Sequence, residues 1–100
     1  MPYIVQEKRE LLDPIIDQLT TALQELDSGA AGEKDNMEGN INYVFSAVLA
    51  ELYTRNYADI NNAIGVLNCI ALEYYSRFAV PYEAQKAFEN GDVYDNRQQG

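Results

Sequence analysis

The chain has 100 residues, and seven Lys and Arg against sixteen Asp and Glu give a formal net charge of −9. That length makes one domain of modest stability, because a monomer this small buries only about 60–65% of its unfolded surface, and self-association is the expected offset. The charge removes the main attraction for duplex nucleic acid, and the lack of any histidine removes the usual neutral-pH acid–base group, the commonest metal ligand and any Ser-His or Cys-His nucleophile pair.

In chain order, the head "MPYIVQEKRELLDP" is expected to start extended through Pro2, Tyr3 and Ile4, with a short helix over Gln6 to Leu12. Asp13-Pro14 reads as an N-cap followed by proline at the first helical position. Ile15, Ile16, Leu19, Ala22, Leu23 and Leu26 then recur at three- and four-residue steps, which predicts one apolar helix face ending near Asp27. Leu11 and Leu12 nearly continue that stripe, so an unbroken helix kinked at Pro14 is the competing reading. The segment Asp27 to Asn40, with three glycines and five charged residues, reads as a mobile loop or a lid that orders on binding.

A second helix is predicted over Ile41 to Thr54, capped by Asn40 or Gly39, with Ile41, Val44, Phe45, Val48, Leu49 and Leu52 as its apolar stripe. "RNYAD" forms a turn with Asp59 available as the next N-cap. The third helix carries Ile60, Ala63, Ile64, Leu67, Ile70, Ala71, Tyr74 and Phe78 on one face. Val66 and Cys69 widen that face, so this helix is expected to be the most buried. Gly65 within it reads as a point of close approach by a neighbouring helix, and Cys69, the single cysteine, as a buried inert thiol. Val80-Pro81 should end or bend the helix. "PYEAQKAFEN" restarts it, Asn90-Gly91 stops it, and residues 95–100 form a tail. No segment alternates with period two, so the fold class is all-α: three main helices with short ones at each end, in a single domain over 1–100.

No apolar stretch reaches the eighteen or so residues that span a bilayer, and the head lacks a basic-then-apolar signal pattern. The expectation is a cytoplasmic chain without a membrane partner.

Glu7, Glu10, Asp13 and Asp17 share helical spacing, as in all-α Mg²⁺-dependent nucleotide pyrophosphohydrolases, where ExxE on one helix faces ExxD on another. The partner motif is missing, since Glu89 and Asp92 straddle a helix stop and Asp35 and Glu38 lie in the loop. Glu73 with Arg77, and Glu51 with Arg55, are four apart and can pair along a helix. Arg77 and Lys86 offer cationic donors close to tyrosines, a combination suited to an anionic planar ligand such as a nucleotide. Eight tyrosines stand beside no tryptophan; those at the breaks, Tyr3, Tyr57, Tyr82 and Tyr94, suit ring packing with a wet hydroxyl, or a contact belt.

Three segments, "MPYI", "INNAIGVLNCIALEYYSR" and "PYEAQKAFENGDVY", resemble a family of small phage, prophage and archaeal proteins catalogued as a domain of unknown function. The likeness covers most of the chain outside Asp27–Gly39 and the last six residues, and it brings no activity with it. Its implied context is a viral accessory factor. By analogy with oligomeric sponges for cyclic-nucleotide immune signals, it implies a non-enzymatic homo-oligomer that sequesters a small anionic ligand in a pocket between subunits, in the host cytoplasm if viral. Arg77 and Lys86 would hold phosphate, Tyr3, Tyr43 and Tyr82 would wall the pocket, and Asn42 and Asn61 would donate hydrogen bonds. No catalytic residue, metal or cofactor is assigned. A protein-binding inhibitor or accessory module acting on a host protein is the second reading, and the Mg²⁺-dependent hydrolase the third.

Overall fold

The computed structural model describes residues 2–28 and 36–97. These are helical almost throughout, with no strand among the described residues, as the apolar periodicity requires. The chain forms two compact units, Met1–Ala63 and Ile64–Gly100, and the division falls within a helix.

In the first unit the head turns once, Ile4 N–H donating to the Pro2 carbonyl at 3.1 Å, and is tied to the first helix by Arg9 Nε donating to the Ile4 carbonyl at 2.9 Å. Helix α1 spans Gln6–Ser28 without a break at Pro14, which corrects the expected separate helix over Gln6 to Leu12. Proline removes a single intrahelical donor, and the long apolar stripe on both sides of it keeps the flanking turns helical. Helix α2 spans Met37–Leu52 and packs on α1; Leu19, Leu23, Met37, Val44 and Leu49 are half-buried.

Helix α2 starts four residues before the expected Ile41. Its N-cap is Asn36, whose Oδ1 accepts from Gly39 N–H at 3.0 Å. A Cβ on Gly39 would lie 2.7 Å from Asn36 Nδ2, so the cap folds over a position that suits glycine. Met37 to Asn40 and Asp27 to Ser28 therefore belong to helices rather than to the expected loop; of the rest, Asn36 is the cap and residues 29–35 lie outside the described residues.

Helix α3 spans Tyr57–Tyr74 and also starts early. Asp59 is not its N-cap. Asn56 Oδ1 accepts from Asp59 N–H at 2.8 Å, and the Asp59 carboxylate accepts from both N–H and Oγ1 of Thr54, each at 2.8 Å. Asp59 thus occupies the third helical position, with its N–H on the Asn56 cap and its carboxylate on Thr54 two residues before that cap, and so joins the turn to the helix. Arg55 closes the other side, donating to the carbonyls of Tyr53 at 2.9 Å and Ala50 at 3.3 Å at the end of α2, instead of pairing with Glu51 as its spacing predicted.

In the second unit Val80-Pro81 neither ends the helix nor leaves the α region. A π-turn over Tyr75–Ala79 links α3 to α4, Val80–Asn90, with Val80 at φ −60°, ψ −51°. Val80 N–H reaches back to the Tyr75 carbonyl, five residues earlier. In an unbroken α-register the Pro81 ring would meet the Arg77 carbonyl; the wider turn gives it room. Gly91 stops α4 at φ 91°, the one positive φ among the described residues, with its N–H on the Ala87 carbonyl at 2.9 Å. Asp92 Oδ1 accepts from Tyr94 N–H at 2.8 Å and opens a short α5, Val93–Arg97, so Asp95 to Arg97 are helical rather than tail.

The expectation that α3 would be the most buried helix is overturned. No described residue is buried, and Cys69 is exposed rather than enclosed. Periodicity shows which helix face is apolar, and among the described residues those faces remain largely exposed.

Candidate functional site

The seven residues singled out from the sequence are all exposed, and they divide between the units: Tyr3, Asn42, Tyr43 and Asn61 in the first, Arg77, Tyr82 and Lys86 in the second. In the first unit, Asn42 Oδ1 accepts from Ser46 Oγ at 3.1 Å, one turn along α2, and Tyr43 is three-quarters exposed.

The second unit brings together the cationic and aromatic pair. Tyr82 and Lys86 are one turn apart on α4, and Lys86 Nζ stands 5.6 Å from the Tyr82 ring centroid. Sequence reasoning missed the third member. Glu89, three residues on, holds the same ammonium at 3.3 Å and accepts from Gln85 Nε2 at 3.1 Å through its other oxygen. An incoming anion must therefore displace an exposed carboxylate, a weak competitor in water. The arrangement is a cation presented over an exposed aromatic ring.

Tyr75 and Glu83 form another polar contact in this unit, missed for a physical reason. Tyr75 OH donates to Glu83 Oε2 at 3.1 Å. Residues eight apart on a regular α-helix are about 80° out of line. The π-turn between them absorbs one residue, so they meet as residues seven apart would. The hydrogen bond to Glu83, and then that carboxylate's charge, raise the Tyr75 pKa above the ordinary tyrosine value. Tyr74 and Phe78 stack beside them, with ring centroids 4.7 Å apart and planes tilted by 50°.

The carboxylates Glu7, Glu10, Asp13 and Asp17 all lie on the unbroken α1. Among the described residues no group of three or more His, Cys, Asp or Glu side chains converges as metal ligands would. No helix of the described residues is long and apolar enough to cross a membrane.

Two helical runs stand out for what they lack. Gly39 to Ala50 in α2 and Ile60 to Leu72 in α3 contain no Asp, Glu, Lys or Arg. In the single chain these runs still expose Phe45 at 50%, Ile64 at 50%, Ile70 at 52% and Leu72 at 71%. Gly65, midway along the second run, costs about 1 kcal/mol of helix propensity against alanine. A Cβ there would meet nothing within 4 Å.

The fold defines a small all-α protein, and among the described residues its apolar side chains are largely exposed. The chain matches, over residues 1–93, the family described as a domain of unknown function (DUF6899), and it belongs to that family. No curated protein and no solved structure matches it.

Proposed function

We propose that this protein is a non-enzymatic binding protein that works as a homo-oligomer and sequesters a small anionic, planar ligand of the cyclic-nucleotide type. The observation that carries the reading is the absence of any buried side chain among the described residues. A chain that leaves its Ile, Leu and Phe side chains about half in water forgoes much of the apolar stabilisation that must offset the entropy of ordering. Copies of the same chain can supply the missing cover, because the uncharged runs of α2 and α3 let two chains of net charge −9 approach without like-charge contact.

The ligand component rests on Tyr82 and Lys86, with Arg77 in the preceding π-turn. Ring and ammonium suit a base and a phosphate, and tyrosines and asparagines of the first unit would complete the pocket from other copies. The resemblance to phage and archaeal proteins supports a setting in which such a sponge blunts a host signal. Calorimetry against cyclic di- and trinucleotides and ADP-ribose derivatives tests this; heat with one of them is expected, and none at tens of micromolar protein overturns the ligand component.

A protein partner is the second reading, favoured by one observation. Phe88 on α4 is 92% exposed, and a lone aromatic of that exposure suits a pocket on another protein.

A further inference from the structure

We infer that the π-turn over Tyr75–Ala79 is a one-residue register latch, closed by the hydrogen bond between Tyr75 and Glu83, that decides whether Tyr82 and Lys86 share a helix face with Tyr74. All of these residues lie in the second unit, and the inference does not depend on the ligand reading.

Two interior prolines supply the contrast. Pro14 lies inside α1, which runs through it as an unbroken α-helix, whereas Pro81 follows a π-turn. A proline within a helix therefore does not by itself call for a π-turn in this chain. Its ring and missing N–H weaken the regular register at the Arg77 carbonyl, as they do at the Glu10 carbonyl in α1. What favours the wider turn is a contact that only the wider turn allows: Tyr75 OH donates to Glu83 Oε2 at 3.1 Å. Eight regular α-residues would set these side chains about 80° apart, and absorbing one residue brings them within about 20°.

The same count governs the rest of α4. From Tyr74, a regular helix would carry Tyr82 about 80° and Lys86 about 120° around the axis; with one residue absorbed, both fall within about 20° of Tyr74. The turn thus lines up the Tyr74–Phe78 ring pair, with centroids 4.7 Å apart, and the pair in which Lys86 Nζ lies 5.6 Å from the Tyr82 centroid. Opening the latch turns α4 by about 100° against the last turn of α3 and takes Tyr82 and Lys86 off that line. A ligand that touches Tyr74 as well as Lys86 meets both in one register only, so its binding and the latch reinforce one another.

Through-hydrogen-bond NMR couplings on the full chain identify the carbonyl that accepts from Val80 N–H. In the wild type that carbonyl is expected to be Tyr75's, five residues back. Tyr75→Phe removes only the hydroxyl, and the acceptor is expected to shift to the Ser76 carbonyl, four residues back, with Pro81 accommodated as Pro14 is. Glu83→Ala breaks the same bond from the other side and should give the same shift, so it decides the matter should Tyr75→Phe lose helicity by circular dichroism. A Val80 amide that stays on Tyr75 in both variants would show that the backbone and the proline hold the turn without the latch, and overturns the inference. A wild-type amide already on Ser76 overturns it as well.

Discussion

The Asp59 carboxylate holds Thr54 by two hydrogen bonds of 2.8 Å, one from the backbone N–H and one from the hydroxyl, and so fastens the turn after α2 to the first turn of α3. Those bonds, the backbone one first, lower the Asp59 pKa from its ordinary value. A lowered folded-state pKa contributes stability that is present above the unfolded value and lost as the pH falls through the folded one. Thermal melts of Asp59→Asn should therefore show a lower Tm than wild type at neutral pH, with the gap closing in acid. Asn56→Ala, which removes the cap itself, should cost about 1 kcal/mol at either pH.

Tyr75 carries the opposite sign. Its raised pKa means that the contact with Glu83 contributes below the ordinary tyrosine value and is lost as the pH rises through the folded one. In an absorbance titration of tyrosinate, Tyr75→Phe should remove a late-titrating component. Pro81→Ala should also return that component toward the ordinary range, because without the proline ring the π-turn can close to a regular helix that swings Glu83 out of line.

At the start of α2, Asn36→Ala should destabilise by about 1 kcal/mol in chemical denaturation. Gly39→Ala should gain less than the propensity difference of about 1 kcal/mol, since its Cβ displaces the Asn36 amide from the cap. A full gain would show that the cap adapts without loss.

Pro14 interrupts the hydrogen bonding of an otherwise regular α1. Pro14→Ala should restore the bond to the Glu10 carbonyl and raise stability by about 1–3 kcal/mol, read as a shift of the denaturation midpoint. No gain would mean that the proline's restriction of the unfolded chain offsets the missing bond.

The all-α class was legible from the three- and four-residue recurrence of Ile15, Leu19, Leu23 and Leu26, and of Ile60, Ile64, Leu67 and Ala71. Helix starts were less so. Asparagine and aspartate are both good caps, and choosing Asn56 over Asp59 needs the knowledge that the later residue is occupied by Thr54. The Gly91 stop was legible because its positive φ is what glycine permits. Burial was not, because periodicity shows which face is apolar and not whether its cover lies in the same chain. Within the site, the one-turn step from Tyr82 to Lys86 could be read from spacing alone. The Tyr75–Glu83 contact depends on a π-turn that no side chain announces.

Native mass spectrometry of the purified full chain tests the central claim most directly, since a chain that buries none of its described side chains should not stand alone. The expected spectrum shows a single homo-oligomer, with added mass where an anionic ligand is carried along. A spectrum of bare monomer at tens of micromolar would contradict the account.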